Sequence, residues 1–220
     1  MRSYGEYCSI AKSLDVVGDR WTLLIVRELV ERGPCRYTDL RNGLPGIASN
    51  LLAERLRELE QAGVIAREDA PPPIATALFR LTPRGEQLRP VLDDLARWGV
   101  PLMMEQKPTD AVRSHWLAAA IELMLTDRQP EAPPATLELQ TGDQPIAIEL
   151  RGGAIQTHLG AVDSPDATLA GPPRPIMGLL LGLLELADAK AHGIGYQGDD
   201  ALLDRIGAET NLTASPSLRI

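Results

Sequence analysis

The feature that most constrains the fold is a pair of short helical segments joined by a turn between residues 36 and 61. The first segment covers residues 36–40. The second begins near Ser49, a residue type that commonly caps helices, and runs to Gln61. The residues that break the chain between them are Gly43, Pro45 and Gly46. Two helices joined by a glycine-containing turn form a helix-turn-helix.

The second segment has two distinct faces. At about 100 degrees per residue, Leu52, Leu56 and Leu59 fall on one side, which predicts a buried stripe. The residues on or beside the opposite face are polar or small: Ser49, Asn50, Ala53, Glu54 and Arg57. Short polar side chains at the start of an exposed helix face are typical of a helix that reads a DNA groove.

The segments on either side of this motif complete a winged arrangement. Apolar residues recur at helical spacing over residues 21–30, and strand patterns at 64–67 and 76–81 flank three prolines at 71–73. Such a hairpin is a wing. Beyond it, apolar residues step by three and four: Leu88, Val91, Leu95, Trp98 and Leu102. This spacing predicts a packing seam, part of it between two molecules, rather than an isolated surface helix.

Three strings are similar to the HxlR family of bacterial winged-helix regulators: YGEYCSIAKSLDVVGDRWTLLIVREL, RYTDLRNGLPGIASNLLAERLRELEQAGVI and LFRLTPRGEQLRPVLDDLARWG. The resemblance implies a homodimer, built largely by the first and last helices of this domain, on double-stranded DNA. The DNA-binding residues that it implies are Arg36, Thr38, Arg41, Ser49, Asn50, Ala53, Glu54, Arg57, Arg67 and Arg80. Family members usually have a basic residue after the wing prolines, but this chain has Ile74, Ala75 and Thr76. That departure argues against minor-groove reading by the wing tip.

The distribution of charge predicts two domains. Residues 1–107 hold 15 Lys or Arg and 15 Asp or Glu, whereas residues 108–220 hold 7 and 15. The formal net charge of -8 therefore comes from the second half, and a neutral first half with clustered arginines can still bind nucleic acid. Pro108 and the proline-rich loop at 128–135 mark breaks between regular segments of the chain. We predict a winged helix-turn-helix domain at 1–107 and a regulatory domain at 108–220.

The second half has its own pattern, which makes the whole chain mostly α with a small amount of β (α+β). An amphipathic helix over 116–125 precedes three alternating runs at 137–139, 146–150 and 154–158, which predict a small antiparallel sheet. The passage from residue 166 to 206 then resembles domains of the sterol carrier protein type. That resemblance implies a pocket for a small apolar ligand, lined by Ile176, Met177, Leu180, Leu181 and Leu184. The alternative is that these side chains are simply core.

Several other classes of site find little support in the sequence. The three histidines are scattered, the two cysteines fit no metal spacing, and we predict no metal, cofactor or catalytic group. Cys8 occupies the position of the amino-terminal cysteine of the HxlR family, where a thiol senses oxidants in some members; an inert buried thiol is favoured over a redox role. Cys35 is expected to be an exposed bystander. For Arg55 we favour ion pairs with Glu54 or Glu58, while Arg57 is balanced between such a pair and DNA.

These observations predict a DNA-binding transcription regulator, not an enzyme, that binds a palindromic operator as a homodimer and is controlled by an apolar ligand. No signal peptide or membrane-spanning segment is apparent, so a cytoplasmic location is expected. The alternatives are a hydrophobe carrier whose winged domain serves for dimerisation, a thiol-based redox regulator acting through Cys8, and an enzyme that uses Cys8. Operator binding separates the regulator from the carrier.

Overall fold

The computed structural model of the chain describes residues 3–69, 76–103, 107 and 109–208. The chain divides into two compact units, Met1–Leu95 and Ala96–Ile220, and each has its own hydrophobic core cluster. The wing-tip prolines at 71–73, together with Ile74 and Ala75, lie outside the described residues.

The first part of the chain contains the predicted helix-turn-helix and hairpin. Its elements are α1 Ser9–Val17, α2 Thr22–Arg32, β1 Cys35–Arg36, α3 Tyr37–Gly43, α4 Ser49–Gln61, β2 Ile65–Asp69, β3 Ala77–Leu81, α5 Pro83–Glu86 and α6 Arg89–Met103, which continues past Leu95. The prediction that Ser49 caps α4 is wrong. Ala48 occupies the cap position in extended conformation, and Ser49 is the first helical residue.

A three-stranded sheet of order β1-β3-β2 supports the two helices. The predicted hairpin is the antiparallel pair β2 and β3, in which Ile65 lies opposite Leu81 and Arg67 opposite Phe79. The short strand β1, which the sequence pattern does not reveal, pairs with β3 through Cys35 opposite Phe79. Cys35 is therefore buried, at 2% exposure, and the expectation of an exposed thiol is wrong.

The core of this unit is mainly aliphatic. It combines the leucine stripe of α4 with residues of α2, α3 and the sheet, including Ile25, Val26, Leu29, Leu40, Leu44, Phe79 and Leu81. One carboxylate is buried among them: Glu28 of α2, which contacts Arg27 at 2.8 Å and Arg32 at 3.8 Å. A side chain at Gly43 would overlap the Glu28 carboxylate, so glycine there lets α3 approach α2 closely.

Helix α6 exposes most of its predicted seam. Val91, Leu95, Trp98 and Leu102 are exposed, and Trp98 retains 72% of its accessible surface, while Leu88 is half-buried against the first core. These exposed side chains recur on one side of the helix. A single chain therefore leaves this apolar stripe largely uncovered.

The second unit is built around a mixed sheet. Its elements after α6 are α7 Ser114–Met124, β4 Leu125–Asp127, β5 Ala135–Gln140, β6 Ile146–Arg151, β7 Ala154–Leu159, β8 Ala167–Ala170, α8 Pro173–Leu180, α9 Leu186–Ala191, β9 Gly195–Gln197, α10 Asp200–Arg205 and β10 Ile206–Ala208. The five-stranded order is β7-β6-β5-β8-β9. The three predicted runs are antiparallel neighbours, which confirms the small antiparallel sheet predicted for them. The full sheet is mixed, because β8 pairs with β5 in parallel.

The residues predicted to line an apolar pocket lie in or beside the core of this unit. Ile176, Met177, Leu180 and Leu181 are buried, and Leu184 is half-buried. The same cluster contains Ile121, Leu137, Ile148 and Leu169 from α7 and the sheet. Their packing favours the alternative that they stabilise the fold, and the ligand pocket stays a prediction.

Candidate nucleic-acid interface

Helix α4 presents the polar face that its sequence predicts. Leu52, Leu56 and Leu59 are almost completely buried, which fixes which side of the helix faces outward. The predicted contact residues Ser49, Asn50, Glu54 and Arg57 are exposed, and Ala53 is half-buried. The outward side therefore offers an amide, a hydroxyl, a carboxylate and a guanidinium, groups that form hydrogen bonds with base edges in a major groove.

The start of helix α3 is close to the start of α4. The Tyr37 hydroxyl donates a 2.7 Å hydrogen bond to the carbonyl oxygen of Ser49, and the Arg36 backbone N–H donates to the Asp39 carboxylate at 3.0 Å. Arg36, Thr38 and Arg41 are all exposed. The two arginines thus remain available to phosphate groups, as their predicted role requires.

Arg57 lies along its own helix. Its Nε–H donates to the Ala53 carbonyl oxygen at 3.2 Å, so the side chain points toward the amino-terminal half of α4. Within the described part of the chain, Arg57 has no ion-pair partner. The remaining guanidinium N–H groups are therefore available, which favours the DNA interpretation over a local ion pair.

Arg55 behaves differently. Its guanidinium contacts Glu58 at 2.7 Å and Glu54 at 3.4 Å, which confirms the interpretation of a local ion pair. A third partner, Asp19, comes from the turn between α1 and α2, and sequence reasoning missed it because the two residues are 36 positions apart. Arg55 is mostly covered, with 13% of its side chain exposed.

The wing offers less positive charge than the sequence suggests. Arg80 on β3 donates from Nε to Glu68 of β2 at 2.6 Å, and this hydrogen bond holds the pKa of Glu68 below its usual value. Arg67 is exposed and, among the described residues, has no ion-pair partner. Arg67 is consequently the better of the two predicted wing contacts for a phosphate.

The two cysteines have environments opposite to those expected. Cys8 is exposed, so the expectation that this thiol is buried is wrong. Cys35 donates from Sγ to the Gly33 carbonyl oxygen at 3.4 Å, and its burial raises the pKa of the thiol. Because the thiolate is the reactive form, burial makes Cys35 the less reactive of the two.

The described residues contain no cluster of side chains able to hold a metal ion and no helix long and apolar enough to cross a membrane. Fold and surface together define a winged helix-turn-helix DNA-binding protein. Residues 16–107 match the model of the HxlR-like helix-turn-helix family. The match does not extend into the second half of the chain.

Individual relatives of this part of the chain are HTH-type transcriptional regulators by name. The chain is 34% identical over 87 residues to the uncharacterised HTH-type transcriptional regulator YvaP of Bacillus subtilis, covering 40% of this chain and 80% of that protein. It is 33% identical to the HTH-type transcriptional regulator YodB of the same organism, over 39% of this chain and 76% of YodB. The solved reduced form of YodB from B. subtilis aligns over 48% of this chain and all of that one, with 30% identity and a TM-score of 0.39. The chain belongs to the HxlR-like helix-turn-helix family of transcription regulators.

Proposed function

We propose that this protein binds a palindromic operator as a cytoplasmic homodimer and so regulates transcription, with helix α4 reading the bases. The observation that carries the proposal is the outward face of α4. Three buried leucines fix its orientation, while Asn50 and Arg57 face outward and Arg57 has no ion-pair partner among the described residues. Asn pairs with adenine and Arg with guanine in the major groove, so these two residues supply the sequence choice.

The sequence-independent part of the binding is assigned to other residues. Arg36, Thr38 and Arg41 on and before α3, and Arg67 on the wing, are exposed and placed on the helix-turn-helix and its hairpin. Contacts of this kind go to phosphate oxygens; they fix the register of the protein on the duplex and supply most of the salt dependence.

Two helices support the homodimer. In α1, Ile10 and Leu14 are exposed, and Tyr7 just before it is fully exposed. In α6, the exposed stripe contains Val91, Leu95, Trp98 and Leu102. Contiguous apolar stripes of this kind on a soluble chain mark interaction surfaces, and a two-fold dimer would present two recognition helices to two half-sites.

Replacing Asn50 by Ala tests the base-reading role. We expect operator binding to weaken by about 1 to 3 kcal/mol, because a bidentate base contact is lost, with the melting temperature unchanged since the side chain is exposed. The measurement is a titration of an operator selected from random DNA by the purified protein. Operator affinity equal to that of the wild type would reject the assignment.

Replacing Arg41 by Gln provides the contrasting case in the same titration. Operator and scrambled DNA should lose affinity alike, and the slope of log affinity against log salt should fall by about one unit, since one phosphate contact is removed. A loss confined to the operator would move Arg41 from the phosphate-binding group to the base-reading group.

Control by an apolar ligand stays a prediction for the second unit. The candidate residues on α8 and just after it are largely buried within a continuous core, so a ligand would have to enter by displacing packed side chains. A thermal-shift screen with fatty acids and aromatic hydrophobes, followed by operator titration with each hit, decides between a sensing pocket and a core.

Thiol-based control is a second candidate, favoured by the exposure of Cys8. We expect diamide, which takes up two hydrogens as two thiols form a disulfide, to join the exposed Cys8 thiols of two chains and so change the operator affinity of the wild type. Cys8→Ser should be unaffected, because the buried Cys35 is protected. An identical response of both proteins would exclude Cys8 as the sensor.

A further inference from the structure

Helix α4 is tied on one flank to the turn between α1 and α2. The tie is the contact between the Arg55 guanidinium and the Asp19 carboxylate, with Glu54 and Glu58 as the other partners of Arg55. Asp19 is 62% exposed, whereas Arg55 is mostly covered. Of these three carboxylates, Asp19 is the one that α4 does not itself carry, so it joins the helix to another part of the fold.

On this flank of α4, no tightly packed side chains among the described residues take the place of the Arg55–Asp19 contact in holding the helix. A cavity of about 570 Å³ lies between the amino-terminal segment, α1 and α4, and the tie forms part of its wall. Its lining includes Leu14 and Gly18 on one side and Glu54, Arg55 and Glu58 on the other. Interdigitated side chains would resist rotation of the helix, but here the space is open and the charged contact spans it.

Rotation of α4 about its axis matters for base reading. With side chains, a helix has a radius of about 5 to 6 Å, so a roll of about 20 degrees moves the ends of outward side chains by about 2 Å. Hydrogen bonds to base edges require heavy-atom distances of about 2.7 to 3.2 Å, so such a shift breaks them. Long arginine side chains that contact phosphates adjust to the same shift.

We propose that Asp19 is a positioning residue for operator recognition: the buried leucines decide which face of α4 points outward, and Asp19, through Arg55, limits the rotation that remains and thereby places Asn50 and Arg57. The proposal rests on the proposed function, since it assumes that α4 reads bases. It assigns Asp19 no contact with DNA.

The informative variant is Asp19→Ala in the full chain. Arg55 then keeps Glu54 and Glu58, so no covered charge is left unpaired and the fold should survive. If Asp19 acted only through its charge, its removal would strengthen binding to every DNA, because a negative group is taken away from a protein that binds a polyanion. If Asp19 positions α4, its removal should instead weaken binding to the operator.

The experiment titrates a selected operator and a scrambled duplex with wild type, D19A, D19E and the control E60Q. We expect D19A to lose about tenfold in operator affinity, with scrambled DNA bound as tightly as before or more tightly and the salt slope unchanged. D19E, which retains a carboxylate able to reach Arg55, should recover much of the loss. Glu60 is exposed on the same helix, and its side chain has no hydrogen bond or ion pair among the described residues. E60Q therefore removes one negative charge, as D19A does, and leaves the Asp19–Arg55 contact in place.

Three outcomes overturn the proposal. One is tighter or unchanged operator binding by D19A. Another is equal loss on both duplexes, which would make the contact merely structural, with melting temperatures showing whether stability falls as well. The third is failure of the wild type to discriminate the operator from scrambled DNA, which rejects the proposed function itself and is seen before any variant is measured.

Discussion

Replacing Trp98 by Glu should convert the proposed homodimer into a monomer at micromolar concentration. Trp98 exposes 72% of its surface on the apolar stripe of α6. Covering the exposed part of one indole is worth about 3 to 4 kcal/mol at about 25 cal/mol per Å². A two-fold interface contains the side chain twice, and a buried carboxylate adds a desolvation cost in each copy. Sedimentation equilibrium of the full chain measures the change.

Ala96→Glu is the matched control. Ala96 is exposed on the same helix, about 160 degrees around the axis from Trp98. A glutamate at this position therefore adds the same charge away from the apolar stripe. We expect this variant to remain dimeric. In the W98E monomer, operator affinity should fall by orders of magnitude, because the two half-sites are no longer bound by linked recognition helices. A wild-type mass of one chain, or a W98E mass of two, would contradict the proposed interface.

Local periodicity explains why the DNA-binding part was predictable. The leucine stripe of α4 repeats within a single helix, so burial of Leu52, Leu56 and Leu59 follows from the sequence alone. The same holds for the exposed stripe of α6, whose spacing indicates a seam but does not say what covers it. Patterns of this kind need only neighbouring residues.

What sequence reasoning missed depends on long-range pairing. Strand β1 has two residues, too few for an alternating pattern, and its pairing with β3 is what buries Cys35. The Glu68–Arg80 contact requires the hairpin register, which depends on the geometry of the turn and is not given by the strand patterns alone. Likewise, parallel pairing of β5 with β8 joins segments about 30 residues apart, with no local signal at either.

Arg205 at the end of α10 forms an ion pair with Asp127 at the end of β4, 78 residues away in sequence. The guanidinium donates to both carboxylate oxygens, at 2.8 and 3.2 Å, and its third nitrogen donates to the Pro133 carbonyl oxygen at 2.8 Å. The side chains are 8% and 0% exposed. The ion pair also holds β10 beside β4, and these two strands form a two-stranded sheet.

Replacing Arg205 by Met should destabilise the second unit by about 3 to 5 kcal/mol, because the change leaves a buried carboxylate without its partner. The double variant D127N/R205M should recover part of that loss, since it removes the uncompensated charge. Guanidinium denaturation followed by circular dichroism measures both. Equal stability of the wild type and the single variant would show that water satisfies the carboxylate.

The same pair predicts how stability depends on pH. The hydrogen bond from Arg205 holds the pKa of Asp127 below its usual value, so the folded state favours the carboxylate more than the unfolded state does. The stabilisation is therefore present above the ordinary pKa of an aspartate and is lost as pH falls through the lowered pKa of the folded state. In R205M this source of acid sensitivity should disappear, because the Asp127 pKa is no longer held down by the guanidinium. Urea midpoints between about pH 7 and pH 3 should consequently converge for the two proteins on acidification. Parallel midpoints across that range would mean that the pair contributes no pH-dependent stability.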